Sequence, residues 1–221
     1  MNRTVLLINP NTSLQTTALM LRSARAVLQP PVELVTATAA RGAPMIISEA
    51  DLAISAQEVV TMGLAHATQV DAMVISAFGN PGLGALRTQV AVPVVGIGDA
   101  AMQEAAAGGR RFGIATTTPG LELSIAGAVD RLGLRAQFSG VRIPPGDPLV
   151  LAGNPDLQAE RLADAVRACV KQDGAAAVVI GGGPLAESAD RLARQFAVPV
   201  ISPVAAGMRQ VMRELQRLRL L

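Results

Sequence analysis

The strongest constraint on how this chain folds is that it nearly repeats itself. The segment AVPVVGIGDAAM, beginning at Ala91, returns as AVPVISPVAAGM, beginning at Ala197. AMVISAFGNP, from Ala72, aligns with AVVIGGGP, from Ala177, and sets Ala77 opposite Gly182. VLLINPNT aligns with FGIATTTP and sets Asn9 opposite Thr116. One short match in an Ala- and Val-rich chain carries little weight. Three in the same order, at almost the same spacing, predict two similar units of roughly one hundred residues each.

Within each unit, short β-rich runs alternate with longer helical patterns. Strands are expected at 4–8, 32–37, 72–76, 92–96, 112–116, 136–141, 176–181 and 198–202. Helices are expected near 13–28, 49–67, 82–89, 98–107, 119–131, 154–171, 185–196 and 203–219. Asn154-Pro155 is a clear start signal, an N-cap followed by proline at the first helical position. Several strands are apolar throughout, as strands covered on both faces are. The expected class is therefore α/β, with two four-stranded parallel sheets related by a pseudo-two-fold and a cleft between the lobes.

Open sheets of this kind bind ligands beyond the carboxyl ends of their strands. That points to the loops 9–13, 77–82, 116–119 and 182–184. Each opens a helix, where unpaired N–H groups suit anions and polar carbonyls. Asn9, Asn11 and Ser13 follow the first strand, and Thr116 and Thr117 follow its partner. These side chains either clamp a small ligand with two polar ends or cap the helices that follow. Ala77, Phe78, Gly79 and Asn80 form the turn after the third strand, and Gly182, Gly183 and Pro184 the turn after the seventh. Three side chains are candidates for acid–base work: Ser76, beside the bare tip at Ala77; Asp99, at a helix start; and Asp147, in the Pro-rich stretch IPPGDPLV, a loop that could cover the cleft. Glu187 is expected to face solvent in a first turn.

Composition narrows the functions further. Of 221 residues half are hydrophobic and 16 % charged, so the chain buries a sizeable core. Four Phe are the only aromatics and the net charge is +2, so neither base stacking nor a phosphate-tracking basic run is available and no nucleic-acid partner is expected. No run approaches the ~20 apolar residues of a membrane span, so no membrane partner is expected. A single cysteine, Cys169, fits a reducing compartment, and a cytoplasmic location is expected. One His and one Cys make a protein-ligated zinc or iron–sulfur site untenable, and Gly181-Gly182-Gly183 lacks nucleotide-motif spacing; no metal and no cofactor are expected. Helical spacing puts Cys169 on the stripe Leu162, Val166, Cys169, Val170, inside the core.

INPNTS at the first strand, AFGNPGLGALR, VPVVGIGDAAM, RFGIATTT and VPVISPVAA together resemble the hydantoin racemases of the aspartate/glutamate racemase superfamily. The resemblance covers most of the chain in the right order. It implies two Rossmann-like lobes, with 1–97 plus 208–221 as the first and 98–207 as the second, because the helix after Gly98 and the last helix cross between them. It also implies a small-molecule substrate held between the lobes, and protomers that associate into homo-oligomers. Racemases of this family use two thiols, one on each face of the substrate α-carbon. The first belongs to a Cys-Phe-Gly-Asp-Pro-Gly-like motif, where this chain has Ala77 and, at the Asp position, Asn80. The second belongs to a Gly-Cys-Ala-Gly-like motif, where this chain has Gly182. Both thiols are absent, at the two positions that the internal repeat pairs.

Two kinds of function follow. One is an enzyme acting on a hydantoin-like ring or small carboxylic acid by isomerase, lyase or hydrolase chemistry that uses no thiol pair. The other is a racemase-like protein that binds a small ligand without turnover. A conventional two-base racemase is chemically the weakest reading.

Overall fold

The computed structural model describes residues 3–28 and 31–218. Its first half runs β1 (Arg3–Asn9), α1 (Leu14–Arg25), β2 (Val32–Thr38), α2 (Glu49–His66), β3 (Ala72–Ile75), α3 (Leu83–Arg87), β4 (Val94–Gly96) and α4 (Ile97–Ala105). The second half repeats the scheme with β5 (Phe112–Ala115), α5 (Glu122–Arg131), β6 (Phe138–Arg142), α6 (Pro148–Ala152), α7 (Pro155–Lys171), β7 (Ala177–Ile180), α8 (Ala186–Leu192), β8 (Val200–Ile201) and α9 (Pro203–Arg217). The sheets have the orders β2-β1-β3-β4 and β6-β5-β7-β8, and every pairing is parallel. In each, strand order reverses between the two central strands, the place where such sheets open a crevice.

Elements stand where the sequence patterns put them, and their edges move for local reasons. β4 and β8 begin after Pro93 and Pro199, whose residues lack the N–H that a ladder needs; each proline offers only its carbonyl, to Met73 and Val178. α4 ends at Ala105, and just beyond it Gly108 and Gly109 turn left-handed at φ 70° and 77°. The expected α7 cap is present, with Asn154 Oδ1 accepting from Leu157 N at 3.1 Å. IPPGDPLV folds its end into the short helix α6, with Asp147 as cap and Pro148 at the first position, a start signal of the same Asx-Pro kind. The last helix, expected at 203–219, is seen to Arg217; residue 219 lies outside the described residues.

Alternation along the central strands builds three cores. Val5 and Leu7 of β1 and Val74 of β3 face a middle layer shared with β5 and β7, filled by α4, α5 and α9. Leu6, Ile8, Met73 and Ile75 face outward under α2 and α3. On the far side, Val178 and Ile180 pack under α7 and α8. After β4 the chain leaves its own sheet: α4 lies on β7 and β8, while α9 returns to β3 and β4, and the two helices pack on each other. The lobes thus share one apolar core, and burial of this continuous kind is the main stabilising term. Cys169 is fully buried in the outer core of the second lobe, where burial pushes its thiol up to about 12. His66 caps its own helix end through Nδ1 and the Met62 carbonyl at 2.8 Å.

The join between β4 and α4 leaves no room for side chains. A Cβ on Gly98 would stand 2.0 Å from the carbonyl oxygen of Phe78, and one on Gly96 would stand 2.3 Å from Asn80 Oδ1. Gly98→Ala is therefore expected to lower stability by about 1–3 kcal/mol in denaturant unfolding, because backbone, not a flexible side chain, must yield.

Among the described residues, no helix is long and apolar enough to cross a membrane.

Candidate active site

The turns after the four central strands meet across the crevice. Between them lies a cavity of about 40 Å³, room for a few water-sized groups or one small ring and far too little for a nucleotide. Ser76, Ala77, Phe78 and Gly79 form its wall from the first lobe; Thr117 and Gly181 to Leu185 form its wall from the second. The positions paired by the repeat, Ala77 and Gly182, thus line one cavity.

Two features distinguish this cavity from the rest of the crevice. Ser76 is 2 % and Thr117 1 % exposed, and neither hydroxyl oxygen has a hydrogen-bond partner. A buried hydroxyl left unpaired costs about 1–3 kcal/mol, so such groups are rare without a reason. The second feature concerns the backbone. Among the described residues, the N–H groups of Ala77, Phe78, Gly79, Thr117 and Gly183 donate to no backbone acceptor. Unpaired donors of this kind suit a carbonyl or an enolate oxygen.

The remaining polar residues of the loops are occupied. Asn9 is fully buried, and its Nδ2 donates to Asn11 Oδ1 (2.9 Å), Ser13 O (3.1 Å) and Thr17 Oγ1 (2.9 Å). Asn11 Oδ1 also accepts from Ser13 N, and Ser13 Oγ caps α1 by accepting from Thr16 N. This network fixes the first loop; of the three, only Asn11 lines the cavity. Thr116 Oγ1 donates to Gly181 O at 2.7 Å, tying β5 to the glycine turn, and stands behind the cavity wall.

Asn80 and Asp99 also stand behind the wall. Asn80 takes a left-handed conformation at φ 49°, a region open to Asn more than to most residues. Its Nδ2 donates to Asp99 Oδ1 at 2.6 Å and its Oδ1 accepts from Gly98 N at 3.0 Å. The pair locks the Phe78–Asn80 turn to the start of α4. Burial pushes the Asp99 carboxyl above its ordinary value, with Arg131, 3.7 Å away, and Arg87 and Asn80 opposing. Asp147 is exposed and accepts from Leu149 N and Val150 N; it does not line the cavity.

The sign of the Asp99 shift gives a pH prediction. A carboxyl with a raised folded value holds its proton more tightly folded than unfolded. Its contribution to stability is greatest at the acid end and falls as pH rises from 3.8 through the raised value. Asp99→Asn keeps an acceptor for Asn80, so the variant is expected to gain stability relative to the parent as pH rises through that window. Paired urea titrations across it measure the difference.

An apolar wall completes the cavity, and sequence reasoning missed it. Met45 and Ile46 approach from the β2–α2 connection, Leu52 from the start of α2, and Leu121 from the second lobe. This connection clasps the other lobe. Glu49 accepts from Ser124 N at 3.0 Å and from the Ser124 hydroxyl, and a Cβ on Gly120 would stand 2.4 Å from Ile47 O. The apolar APMII in a stretch expected to be loop was the available signal.

Comparison with known proteins adds an independent line. Residues 5–211 match the family model described as Asp/Glu/Hydantoin racemase. A hydantoin racemase of Rhizobium meliloti is 32 % identical over 92 % of this chain and 85 % of its own length. A hydantoin racemase of a Pseudomonas species is 30 % identical over 91 % of this chain and 82 % of its own. Among solved structures, an allantoin racemase from Klebsiella pneumoniae superposes with a TM-score of 0.92 at 33 % identity, over 97 % of this chain and 88 % of its own.

Proposed function

This chain belongs to the Asp/Glu/hydantoin racemase family, and from that premise we propose that its inter-lobe cavity takes a small hydantoin-like ring and acts on it by isomerase chemistry without thiols. The observation that carries the reading is the pair of partnerless buried hydroxyls, Ser76 and Thr117, on facing walls of a ring-sized cavity. The names of the relatives supply the ring class. In a hydantoin the α-carbon is next to a ring carbonyl, so losing its proton gives an enolate whose charge rests on oxygen. The hydroxyls and the free N–H groups of Ala77–Gly79, Thr117 and Gly183 suit that oxygen, and their attraction grows as charge develops. None of the sixteen lining residues carries a carboxylate, imidazole, amine or thiol. In this reading water takes the α-proton and returns one to either face, so the protein contributes enolate stabilisation and no side-chain base.

That same lining favours a second reading, a protein that holds the ring without turnover. Proton NMR of a chiral hydantoin in heavy water separates the two. Loss of the α-proton signal above the protein-free rate supports the enzyme; saturable binding without exchange supports the holder. Absence of both binding and exchange overturns both.

A further inference from the structure

Beside the ring cavity lies a larger groove of about 510 Å³, between α1 of the first lobe and α7 and α8 of the second. Met45 and Pro184, one from each lobe, line both spaces and so stand at the passage between them. Resting on the ring-binding reading, we propose that Met45 is the gate through which the ring passes from groove to cavity, and that the Glu49–Ser124 clasp is its latch.

The two sides of the passage differ in what they can do. Pro184 sits in a turn held by Leu185 N donating to Gly182 O at 3.2 Å and Ala186 N to Gly183 O at 3.1 Å. That turn is also packed from behind, since a Cβ on Gly183 would stand 2.5 Å from Ser76 O. Met45 is half-buried, on the connection 39–48, which contains no helix or strand. Its unbranched side chain changes rotamer readily. The connection is tied to a different lobe at each end. Ala39 N donates to Asn9 O at 3.0 Å and Ala43 O accepts from Thr12 N at 3.1 Å, both within the first lobe. At the far end Glu49 accepts from Ser124 N at 3.0 Å and from the Ser124 hydroxyl, in the second. Between these ties, the backbone of Pro44, Met45 and Ile46 makes no hydrogen bond to other backbone among the described residues. Gly42, at φ 109°, stands just before this free stretch, where a hinge needs a permissive residue. A segment so held opens locally without unfolding the protein. The latch suits that role because its hydrogen bonds are exposed, where water competes for both partners.

Proton NMR line shapes in a titration of the whole protein with unsubstituted hydantoin give association rate, dissociation rate and Kd together. Glu49→Ala is expected to raise both rates by about 5-fold or more and to change Kd by less than about 2-fold, because an unlatched gate speeds passage in both directions. Amide hydrogen exchange at 45–47 is expected to quicken in the same variant. Met45→Ile, stiff at χ1, is expected to slow both rates several-fold. Parent-like rates in both variants overturn the gate and leave the ring site standing. So does a Glu49→Ala variant that binds more weakly at an unchanged association rate, which would make the clasp part of the bound site. Failure of hydantoin to bind the parent protein overturns the ring reading and the gate together.

Discussion

Ala77→Cys combined with Gly182→Cys is expected to raise the rate of α-proton exchange on a bound hydantoin by about 100-fold or more over the parent protein. Positioned general acid–base groups contribute about 10²–10⁴-fold, and two facing thiols supply both partners where the parent has neither. The backbone admits them. Ala77 already carries a Cβ at the cavity wall, and a Cβ on Gly182 would meet the Leu185 side chain at 3.1 Å, a contact that a small shift of a leucine relieves. Gly182 is also not among the glycines with positive φ, so a side chain brings no backbone strain there. Exchange is read by proton NMR in heavy water, with each single variant as control. Each single cysteine leaves one face without a base, so the double variant should exceed both. A folded double variant that binds the ring and exchanges no faster than the parent would show that the cavity orients the α-carbon away from these two positions.

Replacing both orphan hydroxyls, Ser76→Ala with Thr117→Val, is expected to weaken hydantoin binding by at least about 30-fold while leaving the melting temperature unchanged or higher. The two effects diverge because the hydroxyls contribute nothing to the folded protein that is visible in its hydrogen bonds. Removing an unpaired buried hydroxyl lifts a desolvation penalty of about 1–3 kcal/mol, whereas removing it from a bound carbonyl strands the ligand atom at a similar cost. Calorimetric binding and thermal unfolding on the same samples make the comparison. A lower melting temperature with unchanged binding would mean that these groups hold the lobes together and do not contact the ring.

The repeat made the fold legible. Strands apolar throughout, separated by helical patterns, leave few arrangements other than parallel sheets, and three collinear matches double the unit. It also paired Ala77 with Gly182, which line one cavity. Residue type alone could not say which polar loop residues are free. Asn9 ends β1 and Ser76 follows β3; Asn9 is consumed by three donations to its own loop and α1, while Ser76 lines the cavity without a partner. Thr116 and Thr117 are neighbours, yet the chain past β5 turns one into the Gly181 carbonyl and sets the other at the cavity. Met45, Ile46 and Leu52 escaped notice because their role depends on how the β2–α2 connection docks on the opposite lobe, through Glu49 and Ser124. Docking of that kind is tertiary information that no local pattern carries. The environment of Asp99, set between Asn80 and Arg131, is equally a product of packing.

A crystal structure of the protein soaked with hydantoin bears most directly on the central claim, that the crevice is a ring site without the family's thiol pair. The account predicts the ring between Ala77 and Gly182, with the Ser76 and Thr117 hydroxyl oxygens within hydrogen-bond distance of its polar atoms. A ring bound elsewhere, with Ser76 and Thr117 still without partners at saturating ligand, would contradict it.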